Sequence, residues 1–274
     1  MIAARSTRLS DGRLHLQHGP IDVLIECWGE RREVEAAYRQ ACLRFRTILD
    51  ELVAELPLLR SRVNGSYPRI EGRVARRMAA AVWPHREVFV TPMAAVAGAV
   101  ADELMEALLQ GRTLRKACVN DGGDIALHLA AGESISVGIV NDPTRPRINA
   151  DVLLTPQDAA RGVATSGWRG RSQSLGIADA VTVLARSAAA ADAAATLLAN
   201  AVNVEHPAIR RRPAREVKED SDLGDLPVTV SVGGLASDAV TQALERGAAE
   251  AARMKRAGLV EAAYLSLQGH AAAC

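Results

Sequence analysis

Aromatic residues are scarce here: two Phe, three Trp and three Tyr in 274 residues. Any core must therefore be built from Ala, Val, Leu and Ile, which lets backbones approach closely. Cysteine is scarce too, with Cys27, Cys42, Cys118 and Cys274 far apart and no Cys-x-x-Cys pair. That spacing argues against a zinc site or disulfide framework and fits reduced thiols in a cytoplasm. No charge sign dominates: 33 basic residues face 32 acidic ones, for a net charge of +1. The electrostatic case for nucleic acid or an anionic membrane as partner is thereby removed. No apolar run approaches the ~18 residues that suggest a membrane helix, and the opening Met1-Ile2-Ala3-Ala4-Arg5-Ser6-Thr7-Arg8 lacks a signal-peptide core. There is no Gly-x-Gly-x-x-Gly after a strand and no Walker A motif, which excludes Rossmann and P-loop folds. The six histidines show neither His-x-His nor His-Glu-x-x-His, so no zinc hydrolase is suggested. The expectation is a cytoplasmic protein that uses neither nucleic acid nor membrane as partner.

What is present is a stretch at the centre of the chain, Cys118-Val119-Asn120-Asp121-Gly122-Gly123-Asp124-Ile125-Ala126-Leu127-His128-Leu129. An apolar run enters an Asn-Asp-Gly-Gly corner and an alternating strand leaves it. Two adjacent glycines permit positive φ and also let another group lie against the backbone. Taken alone, such a corner reads as an ordinary hairpin turn as readily as a ligand-contacting one.

Upstream, Leu14–Leu16 and Ile21–Ile25 read as short strands around a His18-Gly19-Pro20 turn. Val34, Tyr38, Ala41, Phe45, Ile48, Leu52 and Leu56 recur at three- and four-residue steps, the face of a long amphipathic helix. Pro57 ends that period, and a Gly/Pro/Arg stretch without assigned structure runs to Trp83-Pro84. Within it Arg73, Arg76 and Arg77 form a basic cluster, either a solvated face or an anion-binding one. Val88-Phe89-Val90 reads as a strand delivering Thr91 as N-cap and Pro92 as first residue of a helix that reaches about Leu109 and stops at Gly111. The first turns of that helix are rich in small residues, so another backbone or a flat ligand can approach.

Strands are expected at 115–119, 124–130 and 134–140, then a Pro-rich loop at 143–147. Gly162–Trp168 reads as a strand ending in a Thr165-Ser166-Gly167 corner, followed by a strand at Ala180–Ala185 and an Ala-rich helix capped by Ser187. Residues 204–226 mix an Arg block with acids and read as an exposed loop. A strand at 228–232, a helix from about Asp238 to Arg256 and a strand at 261–267 complete the chain. Strands and helices interleave without a regular βαβ period, so the fold class is α+β, and the length allows one large domain or two small ones.

Asp192 and Thr196 are the sharpest pair. Four apart on a helix, they put a carboxylate and a hydroxyl on one face, and hard oxygen donors suit Mg²⁺. The competing reading is that Asp192 only complements a helix dipole. Ser166 lies in Thr-Ser-Gly and not in Gly-x-Ser-x-Gly, so a serine hydrolase is disfavoured.

In order along the chain, Val90-Thr91-Pro92-Met93-Ala94-Ala95-Val96-Ala97-Gly98-Ala99-Val100-Ala101-Asp102, Val119-Asn120-Asp121-Gly122-Gly123-Asp124, Ala164-Thr165-Ser166-Gly167, and Ala191-Asp192-Ala193-Ala194-Ala195-Thr196 resemble the ApbE-like superfamily. Its best-known members are FAD:protein FMN transferases. The resemblance covers roughly residues 15–200 and is more specific to a shorter cytoplasmic branch whose reaction is unassigned. It implies a single domain over residues 1–274, a T-fold-like arrangement of mixed or antiparallel sheets packed with helices, with the corners gathered at one cleft.

By the same resemblance, Asp192 and Thr196 match the family's Mg²⁺ ligands beside the FAD pyrophosphate, and the carbonyl near Val96 corresponds to a backbone ligand. Thr91, Met93, Gly98, Asn120, Gly122, Gly123, Asp124, Thr165, Ser166 and Gly167 would line the pocket for FAD or another flavin or a pterin. The departures are equally specific. The transferases carry Lys-Gly where this chain has Ala97-Gly98, and a His-x-x-Asp-Pro-x-Thr-Gly segment where this chain has no histidine between Trp168 and Val181. FMN transfer needs a base to activate the acceptor hydroxyl, so the catalytic residues stay unassigned. Three readings stand: a Mg²⁺-assisted protein with a flavin-, nucleotide- or pterin-sized cleft, including a transferase with altered catalytic groups; a non-catalytic carrier or sensor of such a cofactor; and a mainly structural homo-oligomer.

Overall fold

A computed structural model describes residues 3–140, 148–170 and 172–274; the Pro-rich loop expected at 143–147 lies outside the described residues. In chain order the elements are β1 (Arg5–Arg8), β2 (Leu14–His18), β3 (Ile21–Gly29), α1 (Arg31–Ala54), α2 (Leu56–Leu59), α3 (Arg73–Val82), α4 (Val96–Leu109), β4 (Leu114–Asp121), β5 (Asp124–Leu129), β6 (Ile135–Val140), β7 (Ile148–Leu154), β8 (Gly162–Ser166), β9 (Ala180–Ala185), α5 (Ala188–Ala201), β10 (Ile209–Pro213), α6 (Ala214–Val217), β11 (Pro227–Val232), α7 (Ser237–Arg256), β12 (Ala262–Leu267) and β13 (His270–Ala273). The class is α+β, with antiparallel sheets packed with helices.

The contacts divide the chain into two compact units. The first comprises residues 1–136, 153–164 and 185–192, the second 137–152, 165–184 and 193–274. In the first unit β1, β2, β3, β4 and β5 follow one another as an antiparallel meander, and the start of β8 pairs with β5 through Val163 opposite Ile125. The expected α1 forms, and its periodic Val34, Tyr38, Ala41, Phe45, Ile48 and Leu52 are buried against β2, β3 and α4. Helix α4 packs on β4 and β5 and also against α1 and α3. In the second unit β9 pairs with β12, β12 with β13, and α7 packs on both of the latter. β10 pairs with β11, and β6 with β7, as separate two-stranded sheets.

Four expectations need correction. The stretch between Pro57 and Trp83 contains helix α3, whose Val74, Ala75, Met78, Ala79 and Val82 are buried. Its three arginines hid a helical apolar stripe. Val88-Phe89-Val90 is not a strand; prolines at 84 and 92 bracket it, and the Val90 carbonyl accepts a hydrogen bond from the Val63 N–H instead. Thr91 precedes a 3₁₀ turn at Pro92–Ala95, and α4 proper starts only at Val96. The 204–226 segment is not a plain loop either. Its Arg block forms β10, whose alternating exposure is that of a ladder strand.

Candidate functional site

The glycine-rich corner is a two-residue hairpin turn. Asp121 pairs with Asp124 across it, Gly122 and Gly123 take φ of 66° and 114°, and the Asn120 side-chain oxygen accepts the Gly123 N–H at 2.8 Å. Glycine is needed here for backbone conformation; a Cβ added at Gly123 would meet nothing within 4 Å.

Gly98 is different in kind. A Cβ there would lie 2.3 Å from the Ala188 carbonyl oxygen, so the small-residue turn of α4 receives another backbone, the start of α5. Where the two helices cross, each carries an aspartate that caps the other. The Asp102 carboxylate on α4 accepts the N–H groups of Ala188 and Ala189 at 3.0 and 2.9 Å. The Asp192 carboxylate on α5 accepts the Gly98 N–H at 3.0 Å, with Ala97 donating to it as well. Ser187 completes the α5 cap by accepting the Ala190 N–H. Both acids thus sit at the positive end of a neighbouring helix dipole.

Their electrostatics diverge. Burial raises the Asp102 carboxyl, and its two N–H bonds and the Arg77 charge partly offset this. Burial also raises Asp192, to about 7; its backbone hydrogen bonds oppose the shift, but Asp121 and Asp102 add like charge. Asp192 is the carboxylate in this cluster with a surplus of negative charge facing it.

A second charged group lies behind α4. Glu103, 1% exposed, is ringed by Arg44 at 2.7 Å, Arg77 at 3.0 Å and Arg73 at 3.1 Å. Burial alone would raise its carboxyl, but hydrogen bonds from Arg44 and Arg77 hold it below the usual range. Two arginines of the cluster on α3, Arg73 and Arg77, are therefore tied into an ion-pair network that reaches from the buried Glu103 to the exposed Glu106. Burial pushes the thiols of Cys27 and Cys118 up to about 12, which rules them out as nucleophiles near neutral pH. Among the described residues no three His, Cys, Asp or Glu side chains converge as a metal cluster.

In the second unit the Thr165 and Thr182 hydroxyls share a hydrogen bond of 2.8 Å. Gly167 lies against the Asp179 backbone, where a Cβ would sit 2.4 Å from a carbonyl oxygen. Asp179 in turn accepts the Trp168 indole N–H, the Arg169 Nε–H and the Gln268 N–H. That carboxylate pins the polypeptide directly after the Thr-Ser-Gly corner. Ser166 and Thr196 are half-buried, on β8 and α5.

A family model described as "AbpE bacteria" matches residues 6–273. The chain belongs to this family. As an ApbE-like protein it is 35% identical over 205 residues to a UPF0280 protein of Methanopyrus kandleri, a match covering 72% of this chain and 77% of that one. It is 36% identical over 143 residues to a UPF0280 protein of Methanosarcina acetivorans, covering 52% and 54%. The chain thus spans about half the length of several curated relatives it matches. Among solved structures, the apo form of the Pseudomonas stutzeri flavinyl transferase ApbE is 12% identical, with a TM-score of 0.46 over 100% of this chain and 95% of that one.

Of the residues expected at a site, the structure brings Gly98 and Asp192 into direct contact and places Asn120, Gly122, Gly123 and Asp124 together on one hairpin. Thr91 is buried before the 3₁₀ turn, and Met93 lies half-buried within it. Asp102 and Asp121 are further acids at the site that sequence spacing alone does not single out. Asp102 is the acid four residues after Gly98, at the end of the small-residue stretch Val90–Asp102. Only the helix crossing shows that it answers Asp192. Among the described residues no helix is long and apolar enough to cross a membrane.

Proposed function

We propose that this ApbE-like chain binds a flavin nucleotide, or a nucleotide- or pterin-sized relative of one, together with Mg²⁺, and that binding rather than FMN transfer is its retained property. The observation that supports this most is the state of Asp192: a half-buried carboxylate held up to about 7 with two further aspartates acting on it. A divalent cation relieves that repulsion, and carboxylate, hydroxyl and carbonyl oxygens are the donors Mg²⁺ prefers. Asp192 and Thr196, one turn apart on α5, would hold the ion. When bound, Mg²⁺ supplies neutralisation of pyrophosphate charge and Lewis acidity. The chain's own part is to orient the carboxylate through the Gly98 N–H and to supply the Asn120–Asp124 corner as a pocket wall.

Ala97 in place of the family lysine, and no histidine between Trp168 and Val181, favour a carrier over a transferase. Calorimetry with FAD, FMN and a pterin, with and without Mg²⁺, tests the reading. Asp192→Asn keeps a side-chain oxygen for the Gly98 N–H, so it should fold, bind FAD more weakly and lose the Mg²⁺ dependence. No binding of any of the three by the native protein rejects the proposal. Steady AMP release from FAD and Mg²⁺ would instead establish a transferase or hydrolase with altered catalytic groups. We also infer a cytoplasmic location, in which the four free thiols stay reduced; light scattering tests whether the chain assembles as a homo-oligomer.

A further inference from the structure

The first unit contains a cleft of about 520 Å³ that includes none of the corners discussed above. Its floor is apolar, made by Met105 and Leu109 of α4 and Leu127 of β5; Arg73 and Arg77 form one wall, and Arg161, just before β8, stands on the lining as well. The acids on this lining are committed. Asp102 accepts the α5 N–H groups, and Glu106 is paired with Arg73 and Arg77.

Arg161 is held differently. Its Nη1 donates to the carbonyls of Asp158 and Ala160, both at 2.6 Å, and its Nη2 to that of Pro156 at 3.0 Å. The neighbouring carboxylate of Asp158 is itself occupied, accepting the Thr155 N–H and hydroxyl. A guanidinium has five donors, and three here are spent on fixing its plane. The Nε–H and the second Nη2–H have no partner among the described residues. The guanidinium is fixed by neutral carbonyls, with the Asp158 carboxylate acting on it through space and not through a hydrogen bond, and its remaining donors match a carboxylate or phosphate. Arg76, exposed on α3 and without an ion pair among the described residues, adds to that field beside the Arg73/Arg77 wall. A volume of this size suits a small molecule with an apolar body.

We propose that this cleft is a second ligand site, taking an organic anion whose phosphate or carboxylate meets Arg161 and whose apolar body covers Met105, Leu109 and Leu127. The site is separate from that of the Mg²⁺-dependent ligand and needs no metal.

Titration calorimetry of the native protein with phenyl phosphate, benzoate and inorganic phosphate, in metal-free buffer, is the test. Phenyl phosphate or benzoate should bind one per chain and at least about tenfold more tightly than inorganic phosphate, which lacks the apolar body. Whichever of the two binds better tells phosphate from carboxylate. Arg161→Gln should weaken that binding by at least about tenfold. Because Arg161 also ties its own loop, Gln110→Glu serves as a second variant: this exposed rim residue uses only its backbone in the fold. It should leave thermal unfolding unchanged and weaken binding roughly threefold through like charge. Asp192→Asn should have no effect. Absence of binding to both aromatic anions, unchanged affinity in Arg161→Gln and Gln110→Glu, or equal loss in Asp192→Asn overturns the proposal.

Discussion

Asp102 and Asp192 occupy mirror positions at the crossing of α4 and α5, each accepting N–H groups at the start of the other helix. Their geometry is nearly the same and their charge environments differ. The two acids repel each other, but Asp102 also has Arg77 acting on it, while Asp192 has Asp121 as a further like charge. A helix cap needs only an acceptor. What separates a structural acid from one suited to a cation is the sign of the charge that faces it. Asp102 is accordingly assigned to the fold, and Asp192 to both fold and ligand.

The crossing itself is the largest lever on this pair. Gly98→Ala drives a methyl group into the Ala188 backbone, which cannot swing aside, and should cost roughly 3 kcal/mol in a urea unfolding series. A destabilisation no larger than that of a surface substitution would mean that the helices are not in contact there. Next, Asp102→Ala leaves two N–H groups without their acceptor and should cost about 2 kcal/mol. Asp192→Ala removes a cap but also a repelled charge, so its cost should be about half of that. Equal costs by chemical denaturation would erase the distinction between the two acids.

The pH dependence sharpens the contrast. The folded-state carboxyl of Asp192 is raised to about 7 from its ordinary 3.8. Between those values the folded state holds a proton that the unfolded chain has released, so stability falls as pH rises through this window and levels above it. Asp192→Asn should flatten that slope, measured as unfolding free energy at successive pH values. Asp102→Asn should flatten it less, since Arg77 opposes the shift there. The smallest effect belongs to the hairpin. Gly123→Ala meets no atom and should cost only about 1 kcal/mol of backbone strain, without altering the Asp192 titration.

Much of the scaffold was legible because burial is periodic. The 3.6-residue stripe of α1, the entry into β4, the Ser187 cap and the Asp238–Arg256 helix all carry their signal within a dozen neighbouring residues. Helix α3 was hidden because arginine-rich turns and nearby Gly and Pro outweighed a stripe of Val, Ala and Met. Val88–Val90 misled because β-branched residues read as a strand whether or not a ladder partner exists. The Ala97-Gly98 turn was read as admitting another backbone or a flat ligand, and the structure supplies the backbone, at Ala188. The reciprocal caps could not be read in advance, since the acids and the N–H groups they cap are some 90 positions apart. Their pairing depends on which helices meet.

The most direct measurement is the thermal unfolding of the native protein, Asp102→Asn and Asp192→Asn at pH 8, each with and without millimolar Mg²⁺. Cation binding at Asp192 predicts a Mg²⁺-dependent rise in Tm for the native protein and for Asp102→Asn, and none for Asp192→Asn. A rise of the same size in Asp192→Asn, or its loss in Asp102→Asn alone, would contradict the assignment of the two carboxylates.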